Sequence, residues 1–322
     1  MKRVQTTSYG EAGVSLAKAE EVVERLRAAV ESTRTDAVEG GFGSFAGLFA
    51  LDDERLLAAT TDGVGTKLIL ARRAGRLFDA GVDLAAHCAN DLATTGAEPL
   101  FFLDYAAAGA LDLAEVAELV EGAASACRAA ACAILGGETA ELPGIYREGE
   151  LDFAGTMVGL VRRSDLVDGS GCGPGDAVVG LPSSGLHANG FTLVRRVLGD
   201  EDFDADLLLP PTRLYLDDVR GLRQRCDVRA LAHVTGGGIP GNLPRALPAG
   251  LGARIDPSAW DRPPVYSWLD ERGVAEDEQR RVFNLGIGFC AVVPAAEAKR
   301  AGFPVIGRLE EGIEGIAWTD EA

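Results

Sequence analysis

The stretch from Asp79 to Thr95 constrains this chain more than any other. Apart from a few polar positions it is mostly Ala, Leu and Val, so a helix there is expected to be buried on nearly every side. Yet Asp83, His87, Asn90 and Asp91 fall at i, i+4, i+7 and i+8, which puts four polar groups on one face. A polar group left unpaired in a protein interior costs roughly 1–3 kcal/mol. The stripe therefore needs partners, either in a structural network with neighbouring backbone or in a site. Any fold for this sequence must give one helix both an apolar sleeve and a polar strip.

The rest of the chain supplies strands and helices in alternation. Residues 12–31 carry helical periodicity through Val14, Leu16, Val22, Val23, Leu26 and Val30, and a Gly-rich run follows at 40–47. A strand at 56–61 runs into Asp62-Gly63-Val64-Gly65-Thr66-Lys67, and a helix is expected to start near Thr66. Further strands are expected at 100–105, 133–135 and 152–162, with a helix over 113–131. Periodicity breaks at 163–175, where Asp-Gly-Ser-Gly-Cys-Gly-Pro-Gly reads as a boundary. Beyond it come a strand at 177–181, helices from Asn189 and over 212–222, and strands near 251–255, 286–293 and 303–309. The class is mixed α/β, with expected domains 1–165 and 166–322.

Composition excludes several functions. The net charge of −18 argues against a nucleic-acid backbone as partner. No apolar run reaches the roughly 18–20 residues that span a bilayer, and the polar start Met1-Lys2-Arg3-Val4 lacks a signal-peptide core. A cytoplasmic protein without membrane partners is expected. The six cysteines show no Cys-x-x-Cys spacing, so neither a zinc ribbon nor a disulfide framework is indicated. Of 31 basic residues only four are Lys, against 49 acids spread along the whole chain. That balance suits a salty, halophile cytoplasm, which would screen the self-repulsion.

Nucleotide motifs of the common kinds fail. There is no P-loop, and Gly41-Phe42-Gly43-Ser44-Phe45-Ala46 does not follow an expected strand as a dinucleotide fingerprint must. What remains is a set of acidic, glycine-bearing turns at strand ends. In the 62–67 segment, Gly63 and Gly65 let backbone approach a ligand, Asp62 could hold Mg²⁺, and Lys67 offers a point charge to phosphate. A tight turn capped by Asp62 would use the same residues. Gly136-Gly137-Glu138-Thr139-Ala140-Glu141 reads as a further acidic turn, and with Asp91 these acids suggest one shared cation site. In the second half, His187 and His233 both sit in Gly-rich loops, Ser183 to Gly190 and His233 to Gly238.

These motifs, in this order, resemble the aminoimidazole ribonucleotide synthetase (phosphoribosylformylglycinamidine cyclo-ligase) family of the PurM-like superfamily. The matching runs begin with Ser8-Tyr9-Gly10-Glu11-Ala12-Gly13-Val14, the 40–47 run and Thr61 to Lys67. Asn90-Asp91-Leu92, Gly96 to Tyr105, Gly136 to Glu141, Ser184 to Gly190, His233 to Gly238 and Phe283 to Gly288 continue them over nearly the whole chain. The resemblance implies a two-domain PurM-like fold whose N-terminal sheet joins that of a second copy in a barrel. It implies a homodimer, a small-molecule substrate, and ATP bound without a P-loop. It implies ring closure of formylglycinamidine ribonucleotide to aminoimidazole ribonucleotide, with release of ADP and phosphate.

By motif match, Asp62, Asp91 and Glu138 are expected to hold Mg²⁺, with K⁺ as a further candidate cation. Gly43, Gly63, Gly65, Thr66, Lys67, Asn90, Gly136 and Gly137 are expected at ATP or its phosphates. His187 and Asn189 are expected at the substrate, and His187 and His233 are the catalytic candidates. Ala188 and Phe191 stand where the family usually has Ser and Tyr, and Leu285 where Cys is common. The competing readings are a sister enzyme, of the selenophosphate synthetase or thiamine-monophosphate kinase type, and a non-catalytic nucleotide sensor. Residues 1–87 hold no Cys, which counts against selenophosphate synthesis.

Overall fold

The computed structural model describes residues 8–13 and 15–321; Met1 to Thr7 and Val14, used above, lie outside them. Two six-stranded sheets organise these residues. The N-terminal sheet uses β1 (Val38–Glu39), β2 (Gly47–Ala50), β3 (Arg55–Gly63), β4 (Glu98–Ala108), β5 (Ala133–Glu141) and β6 (Leu151–Arg162), in the order β1-β2-β3-β6-β4-β5. The C-terminal sheet uses β7 (Ala177–Pro182), β8 (Ala230–His233), β9 (Leu251–Ile255), β10 (Ile287–Val293), β11 (Val305–Glu311) and β12 (Ile316–Trp318). Their order is β12-β9-β11-β7-β10-β8. The class is mixed α/β, as the alternation of elements indicates.

Helix α1 (Leu16–Glu31) is capped by the Ser15 hydroxyl, which accepts from the Lys18 amide. After β3 come α2 (Lys67–Arg73) and α3 (Leu77–Ala93), and α4 (Leu113–Ala129) crosses from β4 to β5. The C-terminal half adds α5 (Phe191–Leu198), α6 (Ala205–Leu208), α7 (Leu216–Arg225), α8 (Gly238–Asn242), α9 (Val265–Glu271), α10 (Glu276–Val282) and α11 (Ala298–Ala301).

Helix α3 is the helix announced by the polar stripe, and its burial is nearly complete. Its Leu84, Ala85, Cys88, Ala89 and Leu92 pack into one core with Phe102, Phe153 and Met157 of the N-terminal sheet. The same core continues through Tyr215, Leu216 and Val219 to Val179, Leu181 and Phe289 of the C-terminal sheet. On its remaining side α4 comes unusually close. A Cβ at Gly81 would lie 2.0 Å from the Leu119 carbonyl oxygen, and one at Gly122 would lie 1.9 Å from that of Phe78. Only glycine permits that approach.

The stripe on α3 is satisfied by the other half of the chain. Asp83 Oδ1 accepts from the Thr212 amide at 2.7 Å and its hydroxyl at 2.6 Å. Asn90 accepts from the Tyr215 amide at 2.9 Å and donates to the Arg213 carbonyl at 2.8 Å. Lys67 completes the seam: its ammonium lies 2.7 Å from Asp83 Oδ2 and donates to the Pro210 carbonyl at 3.0 Å. It also stands 5.4 Å from the centre of the Phe191 ring. Burial pushes the Lys67 amine down and the Asp83 carboxyl up, and each partner opposes the shift of the other.

One expected turn is not a turn. Gly136-Gly137-Glu138-Thr139 lies inside β5, paired in parallel with β4 from Leu103 to Ala106. Two glycines and an exposed acid carry little strand propensity, so the local sequence gives no strand signal and the long ladder to β4 decides.

A buried pair broken on one side leaves an uncompensated charge, at a cost of about 3–5 kcal/mol. Urea unfolding of Lys67→Met should show a loss of that size. Adding Asp83→Asn to it should recover most of the loss, because no charge then remains buried. Equal stability of Lys67→Met and wild type would contradict the seam.

Candidate active site between the two halves

The other half of the α3 stripe opens on a site built from both parts of the chain. Thr60 and Asp62 lie on the face of β3 that looks toward α3. Thr60 donates to Asp91 Oδ2 at 3.3 Å, and His87 Nε2 stands 3.8 Å from Asp62 Oδ1. From the C-terminal half, His233 at the end of β8 brings Nδ1 to 2.8 Å from Asp91 Oδ1. The His87 and His233 rings meet edge-on with centroids 4.7 Å apart. His87, Asp91 and His233 are buried, while the Asp62 side chain keeps 27% exposure.

Arg245 closes the site from above. Its guanidinium donates to the Gly43 carbonyl at 3.2 Å and to Asn242 at 3.1 Å, and stacks 3.9 Å from the Phe45 ring centre. The glycine-rich 40–47 segment is thereby tied to the C-terminal half. On the side of the 62–67 turn, Gly65 takes φ +69°, and the Thr66 hydroxyl pairs with that of Thr192 at 2.9 Å. That bond carries the first turn of α5 to the start of α2. Asn189 lies against the loop after His233, since a Cβ at Gly236 would sit 3.4 Å from its Oδ1.

Burial sets the electrostatics. Asp62 is pushed up to about 6 by burial first, with Asp91 adding to the shift and His87 opposing it. Burial also raises Asp91, against the pull of His87 and Arg245. His233 is driven down to about 3 by burial and then by Arg245, and burial lowers His87 as well. Both imidazoles are therefore neutral at pH 7, while two carboxylates face one guanidinium. Asp62 Oδ2 is buried without a hydrogen-bond partner. Two adjacent carboxylates with a free oxygen suit a hard cation that takes its other ligands from phosphate.

The expected site residues divide. Asp62, Asp91 and His233 come together in this site, Gly43 is tied to it through Arg245, Asn189 lies against the loop after His233, and Gly63, Gly65 and Thr66 continue the chain from Asp62. Asn90 does not reach it, because both ends of its amide are spent on the 213–215 backbone. Lys67 was expected at phosphate, but it is fully buried and committed to Asp83 and Pro210, so no phosphate reaches it in this arrangement. His187 was expected at the substrate. It is buried with φ +60°, its Nε2 accepting the Ser184 amide at 3.3 Å, and it props its own loop.

Gly136, Gly137 and Glu138 are elsewhere. Asp62 pairs with Gly155, Gly155 with Asp104, and Asp104 with Gly137, so three strand spacings, roughly 14 Å, intervene. Glu138 pairs with Tyr105, which pairs in turn with Ala154, the row facing away from α3. Within one chain it cannot share a cation with Asp62 and Asp91. Arg245 was not read from the sequence, and His87 was read only as a member of the polar stripe. A lone arginine in Gly241-Asn242-Leu243-Pro244-Arg245, close behind a glycine-rich histidine loop, was the available signal.

Comparison with known proteins is decisive about kinship. Two family models cover most of the chain: "AIR synthase related protein, N-terminal domain" over residues 43–161 and "AIR synthase related protein, C-terminal domain" over residues 173–317. The chain belongs to the AIR synthase family. Among the relatives of this AIR synthase family member is a Synechococcus sp. (strain CC9605) protein named phosphoribosylformylglycinamidine cyclo-ligase. It is 49% identical over 304 residues, covering 89% of this chain and 88% of that one. A Myxococcus xanthus protein of the same name is 46% identical, covering 96% and 94%. Solved structures share the fold at lower identity. Thiamine monophosphate kinase from Aquifex aeolicus superposes with TM-score 0.66 at 18% identity, over 95% of this chain and 98% of that one. T. maritima PurL complexed with ADP gives 0.59 at 16%, over 85% and 43%.

The raised Asp62 carboxyl makes a stability prediction. The folded chain holds the Asp62 proton up to about pH 6, whereas an unfolded Asp releases it near 3.9. This group's contribution is therefore full below about pH 4 and lost as pH rises through about 6, about 2–3 kcal/mol in all. Without nucleotide or divalent ions, Asp62→Asn should be more stable than wild type at pH 7. Its urea midpoint should also vary less between pH 4 and 6. A variant less stable than wild type at pH 7 would refute the buried-charge account.

Proposed function

We propose that this protein is an ATP-dependent cyclo-ligase that closes the imidazole ring of aminoimidazole ribonucleotide in purine biosynthesis. The observation that carries the reading is the joint one: relatives of 46–49% identity bear that enzyme's name over almost the whole chain, and the Asp62–Asp91 pair of the N-terminal half meets His233 and Arg245 of the C-terminal half. ATP use is supported by fold neighbours solved with an ATP analogue or ADP.

The chemistry explains why such a site is needed. The amide oxygen of formylglycinamidine ribonucleotide is a poor leaving group, so ATP transfers its terminal phosphoryl group to that oxygen and leaves as ADP. The amidine nitrogen then bonds to the activated carbon, the carbon–oxygen bond breaks, and phosphate departs as the ring closes and a proton is lost. Catalysis is then mostly positioning and charge neutralisation. Asp62 and Asp91 would hold Mg²⁺, which when bound supplies positive charge to the phosphate oxygens. The backbone of Gly63, Gly65 and Thr66 borders the phosphates, and the 40–47 segment, tied by Arg245, covers them. A neutral imidazole with a pKa near 3 is a weak base, so His233 fixes Asp91 in place rather than taking the ring proton. Asn189 borders the substrate end.

The protein acts as a homodimer in this proposal. The face of the N-terminal sheet turned from α3 exposes Phe49, Leu103, Tyr105 and Leu135, and among the described residues β5 has no strand on its outer edge. Val22, Val23 and Leu26 of α1 are exposed too. A second copy covering this surface is the economical answer, in a cytoplasm salty enough to screen the −18 charge. Among the described residues no helix is long and apolar enough to cross a membrane.

Mg²⁺-ATP and formylglycinamidine ribonucleotide should give ADP and aminoimidazole ribonucleotide in equal amounts, in dilute buffer or in molar KCl. Asp62→Asn and Asp91→Asn should each lower turnover at least about 10²-fold while remaining folded. ADP without the ring-closed product would indicate a sister kinase or synthetase, and folded protein inert at every salt would indicate a sensor. Light scattering should report a mass twice the 33.6 kDa of one chain, reduced to one chain by Leu135→Glu. A monomeric wild type would remove the dimer.

A further inference from the structure

The inner wall of the site is richer in nitrogen than a Mg²⁺–phosphate site requires. His87, Asp91 and His233 each offer one ligand atom, and these atoms all lie within 4.8 Å of one another. His87 and Asp91 are one turn apart on α3, and His233 comes from β8 in the other half of the chain. The 2.8 Å between His233 Nδ1 and Asp91 Oδ1 is a spacing that two ligands about 2.0–2.1 Å from one ion can adopt.

Two features point to a ligand rather than to a packed core. His87 Nδ1 and His233 Nε2 are both buried with no hydrogen-bond partner, in residues 7% and 0% exposed. His233 is bonded through Nδ1 to Asp91, which leaves its Nε2 and the Nδ1 of His87 as the unpartnered buried nitrogens. Second, supporting groups are in place around the cluster. Thr60 steadies Asp91 Oδ2, and Asp62 stands beside His87, as carboxylates and hydroxyls do behind metal-binding groups. The partly exposed Asp62 marks the way in for an ion.

We propose that His87, Asp91 and His233, with Asp62 beside them, bind a first-row transition ion of the Zn²⁺ type in the absence of nucleotide. Imidazole nitrogen with one carboxylate selects such borderline ions over Mg²⁺, which prefers oxygen alone. The ion ties α3 to β8 and so fastens the N-terminal half to the C-terminal sheet. It shares Asp91 with the proposed Mg²⁺ site, so the two ions compete. The proposal does not depend on the ring-closing activity, because the ion is bound by the resting protein.

The test uses the metal-stripped full-length protein without ATP. Co²⁺ should bind with one equivalent and give a visible d–d band of low-symmetry nitrogen–oxygen coordination, displaced by Zn²⁺. The band should be lost in His87→Gln and in His233→Gln, and Thr60→Val should weaken binding about tenfold. X-ray absorption of the Zn²⁺-loaded wild type should show imidazole scattering, a readout that needs no variant to fold. Wild-type protein without the band, a band unchanged in a folded His87→Gln, or a zinc shell of oxygen alone would each overturn the proposal. Activity with Mg²⁺-ATP can persist in any of those outcomes, so this failure is distinct from failure of the enzyme reading.

Discussion

The burial of α3 between two sheets is the constraint on which the rest of the structure depends. A helix sealed on every side must bring its own partners for any polar group it carries, and α3 carries four in one stripe. Strand side chains, Thr60 and His233, reach Asp91, but Asp83 and Asn90 take their bonds elsewhere. The chain answers with the irregular segment 210–215, whose backbone amides and carbonyls are directed at Asp83, Asn90 and Lys67. The two halves of the protein are thereby joined by hydrogen bonds as well as by apolar contact. A seam of that kind fixes register, because a slide of one residue would leave several buried groups unpaired at once.

The same stripe then does two jobs at different heights. Asp83 and Asn90 are consumed by stitching, while His87 and Asp91 are left facing Asp62, His233 and Arg245. Stitching and site are adjacent turns of one helix, so the position of Asp91 is set by the seam beside it. Low exposure keeps the carboxyl of Asp62 up and the imidazole of His233 down. Carboxyls held this way destabilise the resting protein at neutral pH, and a cation bound there, as proposed above, would relieve the repulsion. Loss of stability in the resting protein and gain of affinity for a cation are two readings of one buried charge.

The legible part of the sequence was the part with strong period or strong punctuation. Helix α3 and its stripe, the strand into Asp62 and the helix α4 all carry local signals. What escaped is what depends on pairing at a distance. The stretch 136–139 looks like a turn because glycine and glutamate disfavour strands, yet a ladder to β4 makes it one. Glu138 consequently lands on the far face of the sheet. Lys67 reads as a phosphate ligand from its neighbours in sequence, and only the tertiary position of Asp83 reveals that its charge is already spent. His187 has the glycine-rich context of a site histidine, but that context serves a backbone in the left-handed region.

The choice of basic residue follows from where each charge sits. Along the surface, ion pairs are built on arginine: Arg220 with Glu98, Arg229 with Asp176 and Arg262 with Glu276. A planar guanidinium can engage a carboxylate with two parallel bonds and retains some of that geometry when salt screens the bare charge. Arg245 uses the same shape differently, stacking on Phe45 while bonding Gly43. The seam beneath α3 has no room for a fork. There a compact ammonium on a flexible stem meets one carboxylate oxygen and one carbonyl, and lysine is retained although the chain has only four. Replacing Lys67 by arginine would add donors that nothing in the seam can accept. The scarcity of lysine on this acidic surface and its persistence at position 67 are therefore the same rule, the match between the shape of a cation and the space its partners leave.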